Sequence, residues 1–305
     1  MSVTVVILTV NEARHIERAL RSVAAIADVT FVVDSGSTDR TVEIARAMGA
    51  EVLTHPFVNQ AQQFNWALDQ LPADTDWVLR LDADEVVSGE LAGEITACLP
   101  ALPEEVAGLT LPRRIAFLGR PIRYGGVFPA HVLRLFRFGR GRSEDRWMDE
   151  HIAVEGRVEA LEGELLDDNL NPLGWWIDKH NRYASREALE VLLAERRSGG
   201  TAPTDVMGRQ ATNRRWIKQN IYGRMPAGLR AAVYFFYRYL LRGGFRDGFP
   251  GFAFHVLQGF WYRFLVDAKL FEARRHLVRH DGDLTATSRD VLGIHLTGAD
   301  ERGEQ

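Results

Sequence analysis

Three apolar runs near the start of the chain stop abruptly on polar clusters, and this punctuation limits the fold more than any other feature. VTVVILTV (Val3–Val10) is a continuous, β-branched run that gives way to Asn11-Glu12. VTFVVD (Val29–Asp34) leads into SGSTD, and DWVLRL ends on Asp82-Ala83-Asp84-Glu85. Runs without polar alternation suit parallel strands that are covered on both faces. Helical patterns lie between them. Ile16, Ala19, Leu20 and Val23 share one face, with Asn11 placed to cap; Val42, Ile44 and Ala45 follow, and AQQFNWALDQL (Ala61–Leu71) reads as a further helix. With EVLT (Glu51–Thr54) as a short third strand, the alternation implies a parallel α/β sheet with right-handed crossovers.

After about Pro100 the pattern changes. GLTLPRRIAFLG and HVLRLFRF are extended, Arg-rich segments separated by YGGVFPA, and VEGRVEALEGELL alternates as strands do. From Leu173 the pattern is mainly helical, and after Asp281 the chain is polar, which predicts a loosely ordered tail. The expected organisation is a catalytic α/β domain over 1–172, a helical, basic-aromatic region over 173–281 and a tail over 282–305. Cys98 is the only cysteine, so an internal disulfide and a zinc–thiolate cluster are excluded. The apolar start lacks a basic region and a small-residue cleavage site and runs into NEARH, so it is read as a strand and not a leader. No apolar run reaches the length of a membrane span.

The net charge of −4 hides an asymmetry: Val206–Arg246 holds nine basic residues and no acidic one. Aromatics interleave with these arginines, as in YFFYRYLLRGGF. A membrane-surface helix with snorkelling arginines over residues 206–266 is the favoured reading, ahead of helix packing; nucleic acid as a partner is set aside.

In open α/β sheets ligands bind beyond the carboxyl ends of the strands. Three polar clusters sit at such ends: Thr9-Val10-Asn11-Glu12, Asp34-Ser35-Gly36-Ser37-Thr38-Asp39 and Asp82-Ala83-Asp84-Glu85. Neither a G-x-G-x-x-G nor a P-loop pattern occurs. Asp82 and Asp84 alternate along an extended backbone, so both point to one side; such hard oxygen donors suit Mg²⁺ or Mn²⁺, with substrate phosphates as further ligands. Plain capping by Asp34 or Ser35, and a solvated acidic turn, are the competing structural readings.

VVILTVNEARHIERAL, FVVDSGSTDRTVEIARAMGAEV, NQAQQFNWAL and DWVLRLDADE resemble the nucleotide-binding half of inverting family-2 glycosyltransferases with the GT-A fold. RRIAFLGRPIRYGG, HVLRLFRFGRGR and IDKHNRY are similar to one branch, the bacterial lipopolysaccharide-core β-1,4-glucosyltransferases. The resemblance covers about residues 3–190 closely and the C-terminal region more loosely. It implies a Rossmann-like, mixed and mainly parallel sheet flanked by helices, with a C-terminal helical extension. Thr9, Asn11, Glu12 and Ser35 would line the nucleotide-sugar pocket with Asp82, and Asp34 would hydrogen-bond the uracil or ribose. Asp84 would be the direct metal ligand of the D-x-D pair.

The same branch places its general base in a segment reading like valine-histidine-glutamate; this chain has Met148-Asp149-Glu150, which makes Glu150 the expected base and Asp149 the second candidate. Where the family carries a histidine that completes the metal shell, this chain has Asp167. Arg113, Tyr124, Gly125, Gly126 and Trp175 are expected on the acceptor side. Arg113, Arg114, Arg120, Arg123, Arg134 and Arg137 read either as strand-edge charge or as an electropositive wall for phosphate.

The resemblance thus implies transfer of a sugar, glucose from UDP-glucose first among them, to a saccharide or lipid-linked glycan acceptor in bacterial cell-surface polysaccharide or lipopolysaccharide synthesis. The expected cofactor is Mg²⁺ or Mn²⁺, and the expected location is the cytoplasm, peripheral to the inner face of the membrane. A catalytically degenerate sugar-nucleotide binder and a nucleotidyltransferase are the rival readings.

Overall fold

The computed structural model describes residues 1–144, 151–197 and 228–296. The chain divides into two compact units, Met1–Asn171 and Pro172–Gln305.

In the first unit the strands are β1 (Val3–Thr9), β2 (Val29–Asp34), β3 (Glu51–Thr54), β4 (Trp77–Asp82), β5 (Glu85–Val87), β6 (Val106–Phe117), β7 (Arg120–Pro121), β8 (Ala130–Arg137), β9 (Gly141–Ser143), β10 (Ile152–Val154), β11 (Arg157–Ala160) and β12 (Leu165–Asp168). The main sheet runs β3-β2-β1-β4-β8-β6-β12-β5, with β7 and β11 also on β6, while β9 and β10 pair separately. β3, β2, β1 and β4 are parallel; β8 then pairs antiparallel with both β4 and β6. The result is a mixed, Rossmann-like α/β sheet flanked by α1 (Ile16–Val23), α2 (Thr41–Ala47), α3 (Gln60–Leu68) and α4 (Gly89–Cys98).

The uninterrupted apolar runs have the expected cause. Val5 and Ile7 of β1 join the core beneath α1 and α4, whereas Val6 joins Phe31, Phe64 and Phe136 on the opposite face. Both faces of β1 are therefore dry, and each such side chain contributes about 1.5–3 kcal/mol. Asn59 and Ser88 cap α3 and α4 by accepting hydrogen bonds from Gln62 N at 2.7 Å and Leu91 N at 3.1 Å. Asn11 does not cap α1, contrary to the sequence expectation. It takes a left-handed backbone (φ 56°) and its side chain turns to the next loop instead.

The link from β4 to β5 is only Ala83-Asp84, yet the two strands stand four places apart in the sheet. A flat sheet would separate them by about 19 Å at ~4.8 Å per strand. Three Cα steps, Asp82 to Glu85, reach at most about 11 Å. The sheet therefore curls between β4 and β5.

The second unit is helical: α5 (Leu173–Arg197), α6 (Leu229–Phe236), α7 (Gly248–Phe254), α8 (Tyr262–Arg279) and α9 (Leu284–Thr287), with π-helical turns at Tyr237–Leu241, His255–Trp261 and Ser288–Leu292. Ala184, Ala188 and Leu192 lie at i, i+4 and i+8 on α5, so their small face lets Tyr262, Val266, Leu270 and Ala273 of α8 pack closely. Leu284 and Leu292 are buried in the same core, and Asp283 caps α9 on Ala286 N at 2.9 Å. Residues 284–292 are thus folded, which corrects the loosely ordered tail; a few well-spaced apolar residues suffice to dock a polar segment. Among the described residues no helix is long and apolar enough to cross a membrane.

Candidate active site

The ends of β1 and β2 are tied into one rim. Asn11 Oδ1 accepts from Thr38 N at 2.8 Å, and Asn11 N donates to Ser37 Oγ at 2.8 Å. Glu12 N donates to Thr41 Oγ1 at 2.7 Å, and Ala13 N to Asp39 Oδ2 at 3.1 Å. Asp34 is buried and accepts from Thr9 Oγ1, Gly36 N, Ser37 N and Ser37 Oγ. Its carboxylate therefore already organises its own turn, the structural reading of this residue. Ser35 Oγ accepts from Gln63 Nε2 at 2.5 Å, and Ser35 N donates to Thr9 O at 3.0 Å.

The acidic turn after β4 finds its countercharge within the protein. Arg134 Nη2 of β8 lies 2.6 Å from both Asp82 Oδ2 and Glu85 Oε1, and Glu85 Oε2 accepts from Asp82 N at 3.0 Å. Glu85 and Arg134 are buried, with side chains 1% and 8% exposed. Burial pushes the Glu85 carboxyl up to about 7; Arg134 opposes this, while the charges of Asp82 and Asp167 add to it. At Asp82 burial also raises the value, but Arg134, Arg80 and Arg113 together outweigh it and hold the carboxyl at about 2. Both carboxylates raise the Arg134 pKa against the effect of burial.

Asp84, like Asp82, is partly exposed, but its carboxylate accepts a hydrogen bond from Asn169 Nδ2 at 2.8 Å where that of Asp82 meets Arg134. The Asp84 carbonyl accepts from Asp168 N at 3.1 Å, and Arg18 of α1 bonds Asp168 Oδ2 at 2.7 Å as well as the Asp168 carbonyl. The end of β12 is thus clamped to the acidic turn. Asp167 pairs across the ladder with Glu85, and its Oδ2 stands 3.8 Å from Arg113 Nη1.

Residues 4–152 match the model of glycosyl transferase family 2. The match falls within the first unit, Met1–Asn171. An uncharacterized glycosyltransferase of Rickettsia prowazekii is 27% identical over 277 residues, covering 87% of this chain and 85% of that protein. One from Rickettsia bellii is 48% identical over 89 residues, covering 29% of this chain and 30% of that protein, so the matched stretch spans under a third of its length. Among solved structures, glucosyl-3-phosphoglycerate synthase from Mycobacterium tuberculosis in complex with Mn²⁺, UDP and glucosyl-3-phosphoglycerate is similar, with 24% identity, a TM-score of 0.32 and coverage of 37% of this chain and 44% of that one.

The metal set expected from the sequence can be tested on its donors. Asp82, Asp84 and Asp167 do not gather into a ready-made cage: among the described residues no three acidic, histidine or cysteine side chains are grouped to hold an ion. Mg²⁺ needs no such cage, because it keeps waters and takes one or two carboxylates with substrate phosphates. Half-exposed Asp84, with Asp82 two residues away, fits that smaller requirement. Asp149 and Glu150 lie outside the described residues.

On the expected acceptor side, Gly125 and Gly126 both have left-handed backbones (φ 76° and 70°), which explains glycine at each. Tyr124 is exposed, and Arg113 faces Asp167. In the second unit, Trp175 receives Lys179 Nζ 4.9 Å above its ring, while Trp176 stacks on His180 at 3.5 Å. The arginines divide by role. Arg114 pairs with Glu164 at 2.6 Å, and Arg137 lies over Trp77 and bonds Val106 O at 2.8 Å. Arg134 is the internal counterion.

Several residues escaped the sequence reading. Buried His15 accepts from Leu170 N through Nε2 at 2.9 Å, so its Nδ1 carries the proton donated to Glu12 Oε2 at 2.6 Å. Arg18 and Asn169 were likewise missed. Arg134 lies where the register between β8 and β6 shifts, with Leu135 opposite Leu109 and Leu133 opposite Thr110, so simple strand alternation did not reveal its inward position.

Proposed function

We propose that the first unit is an inverting glycosyltransferase that moves a hexosyl group, glucose from UDP-glucose first among candidates, to the hydroxyl of a saccharide or lipid-linked glycan in cell-surface polysaccharide or lipopolysaccharide synthesis. The observation that carries the reading is the pair of partly exposed carboxylates at the carboxyl end of β4: Asp82 is held by Arg134, while Asp84 accepts from the neutral Asn169 amide. The match of residues 4–152 to the glycosyl transferase family 2 model and the ordered motif set support the donor class.

The residues divide the work as follows. Thr9, Asn11, Glu12, Asp34 and Ser35 form a rim whose loops are already hydrogen-bonded to each other, so nucleotide binding orders little backbone. Asp84, with Asp82 beside it, would hold Mg²⁺ or Mn²⁺, which offsets charge on the departing nucleoside diphosphate. Arg134 fixes Asp82 and holds its carboxyl in the charged form. Glu150 is assigned as the base that takes the acceptor hydroxyl's proton, with Asp149 as the second candidate. Arg113, Tyr124, Gly125, Gly126 and Trp175 are assigned to the acceptor side.

A screen for nucleoside diphosphate release from UDP-, GDP- and ADP-sugars, with Mg²⁺ or Mn²⁺ and bacterial lipid extract, tests the reading. The expected result is release from one donor class that requires both metal and extract. Release of pyrophosphate would replace transfer by nucleotidyl chemistry. Tight UDP binding without turnover of any donor would leave a sugar-nucleotide-binding module. Glu150→Gln is expected to depress turnover with nucleotide binding retained; an unchanged rate moves the base to Asp149.

A further inference from the structure

The second unit presents an apolar surface that its own core does not use. Leu241 and Phe249 keep 79% and 72% of their surface exposed, and Phe236, Leu240, Phe245 and Phe252 are also exposed. These are not scattered side chains. Phe236 contacts Phe235, Phe235 stacks on Tyr239 at 5.3 Å, and Tyr239 meets both Phe245 and Phe252; Phe249 in turn lies 6.5 Å from Phe252. Leu240, Leu241, Arg242, Gly243, Phe245 and Arg246 line one shallow cleft in the same surface. A contiguous aromatic patch of this kind marks a docking site.

Charge selects the partner. Between Gly228 and Val266 the only acidic residue is Asp247, and it is buried. Arg230 is paired with Asp267, and Arg238 lies inward against the rings of Tyr234 and Phe254. Arg242 and Arg246 instead face solvent from the turn that carries Leu241 and Phe245. Phenylalanine and leucine at the tips with guanidinium groups beside them match the boundary between acyl chains and anionic headgroups.

We propose that the surface built by Phe236–Phe252 docks the protein on anionic phospholipid, with Leu241, Phe245 and Phe249 entering the headgroup layer and Arg242 and Arg246 meeting lipid phosphates. The inference stands apart from the transfer reaction, since it needs neither donor nor acceptor.

Flotation of the full chain with vesicles of phosphatidylcholine mixed with phosphatidylglycerol, and with phosphatidylcholine alone, tests it. The intact chain is expected to float with the mixed vesicles, to float less with the neutral ones and to be released by salt. The double variant Leu241→Ser, Phe249→Ser is expected to bind the mixed vesicles roughly tenfold or more weakly. Arg242→Glu is expected to lose the preference for anionic vesicles, and, as a change at an exposed position, it keeps the test alive should the double variant fail to fold. The proposal is overturned if the intact chain ignores both vesicles or if the variants bind as it does. It is also overturned if light scattering shows a dimer that the double variant dissolves, because a second copy then covers the face. Donor turnover in the same samples separates the outcomes: flotation without turnover sinks the transferase reading alone.

Discussion

The two units invert the usual placement of charge and oil. In the first, Asp34, Glu85 and Arg134 are drawn inward and given partners; in the second, Leu241, Phe245 and Phe249 are left in water. Each inversion costs stability if viewed as folding alone. Buried ion pairs contribute little beyond what an apolar replacement would, and exposed phenylalanine forgoes its burial. Where a fold keeps such arrangements, the reason is sought in what the surface meets: phosphates at the strand ends in one unit, a lipid boundary in the other.

The largest expected effect that sharpens this contrast is at Arg134. Arg134→Met leaves Glu85 and Asp82 without their cation and is expected to lower unfolding free energy by about 3 kcal/mol or more, read by urea denaturation. A smaller loss than about 1 kcal/mol would mean that the carboxylates find another partner. Next comes Asp84→Asn, expected to cut nucleoside diphosphate release by about a hundredfold or more while the urea midpoint stays put, because Asp84 supports no buried charge. Loss of stability together with activity would make Asp84 a structural residue.

Glu85→Gln tests the pH dependence. The Glu85 carboxyl is raised from 4.5 to about 7, so its contribution is full below 4.5 and is lost as pH rises through about 7. Asp82 runs the other way: its contribution is present above 3.8 and is lost as pH falls through about 2. The wild-type protein is thus expected to lose on the order of 3 kcal/mol relative to Glu85→Gln as pH rises from 4.5 to about 7. Parallel urea midpoints for the two proteins across that window would refute the assignment. The smallest effect is at Phe249. Phe249→Ser should change stability by less than about 0.5 kcal/mol, since that side chain packs on little, and a larger loss would place it in the core.

How much was legible follows from the range of each interaction. Val29–Asp34 and Glu51–Thr54 were read with the bounds they have, because β-branched runs between polar turns are local signals. Asn11 was read as a cap, but its partner Thr38 is 27 residues away, and nothing local reveals that choice. The acidic turn raised the right question and received a partial answer: a cation was sought outside the chain, whereas Arg134, 49 residues beyond Glu85, supplies the first countercharge. Asp84 remains where an external cation fits. The exposed aromatic face was suggested by YFFYRYLLRGGF, yet composition could not separate the inward Arg238 from the outward Arg242; only the helix geometry does so.

The two-residue link between β4 and β5 has a further consequence, in the order of assembly. A chain emerging from its N-terminus presents Asp82 and Glu85 well before Arg134, and Leu165–Asp168 later still. Among the described strands β5 has no neighbour in the sheet until β12 arrives and bridges it to β6. Closure of the curl is therefore a non-local and late step, with the entropy of about 80 intervening residues to overcome. Until then the acidic turn stays hydrated, and the carboxylates are withdrawn from water only once their arginine has been made.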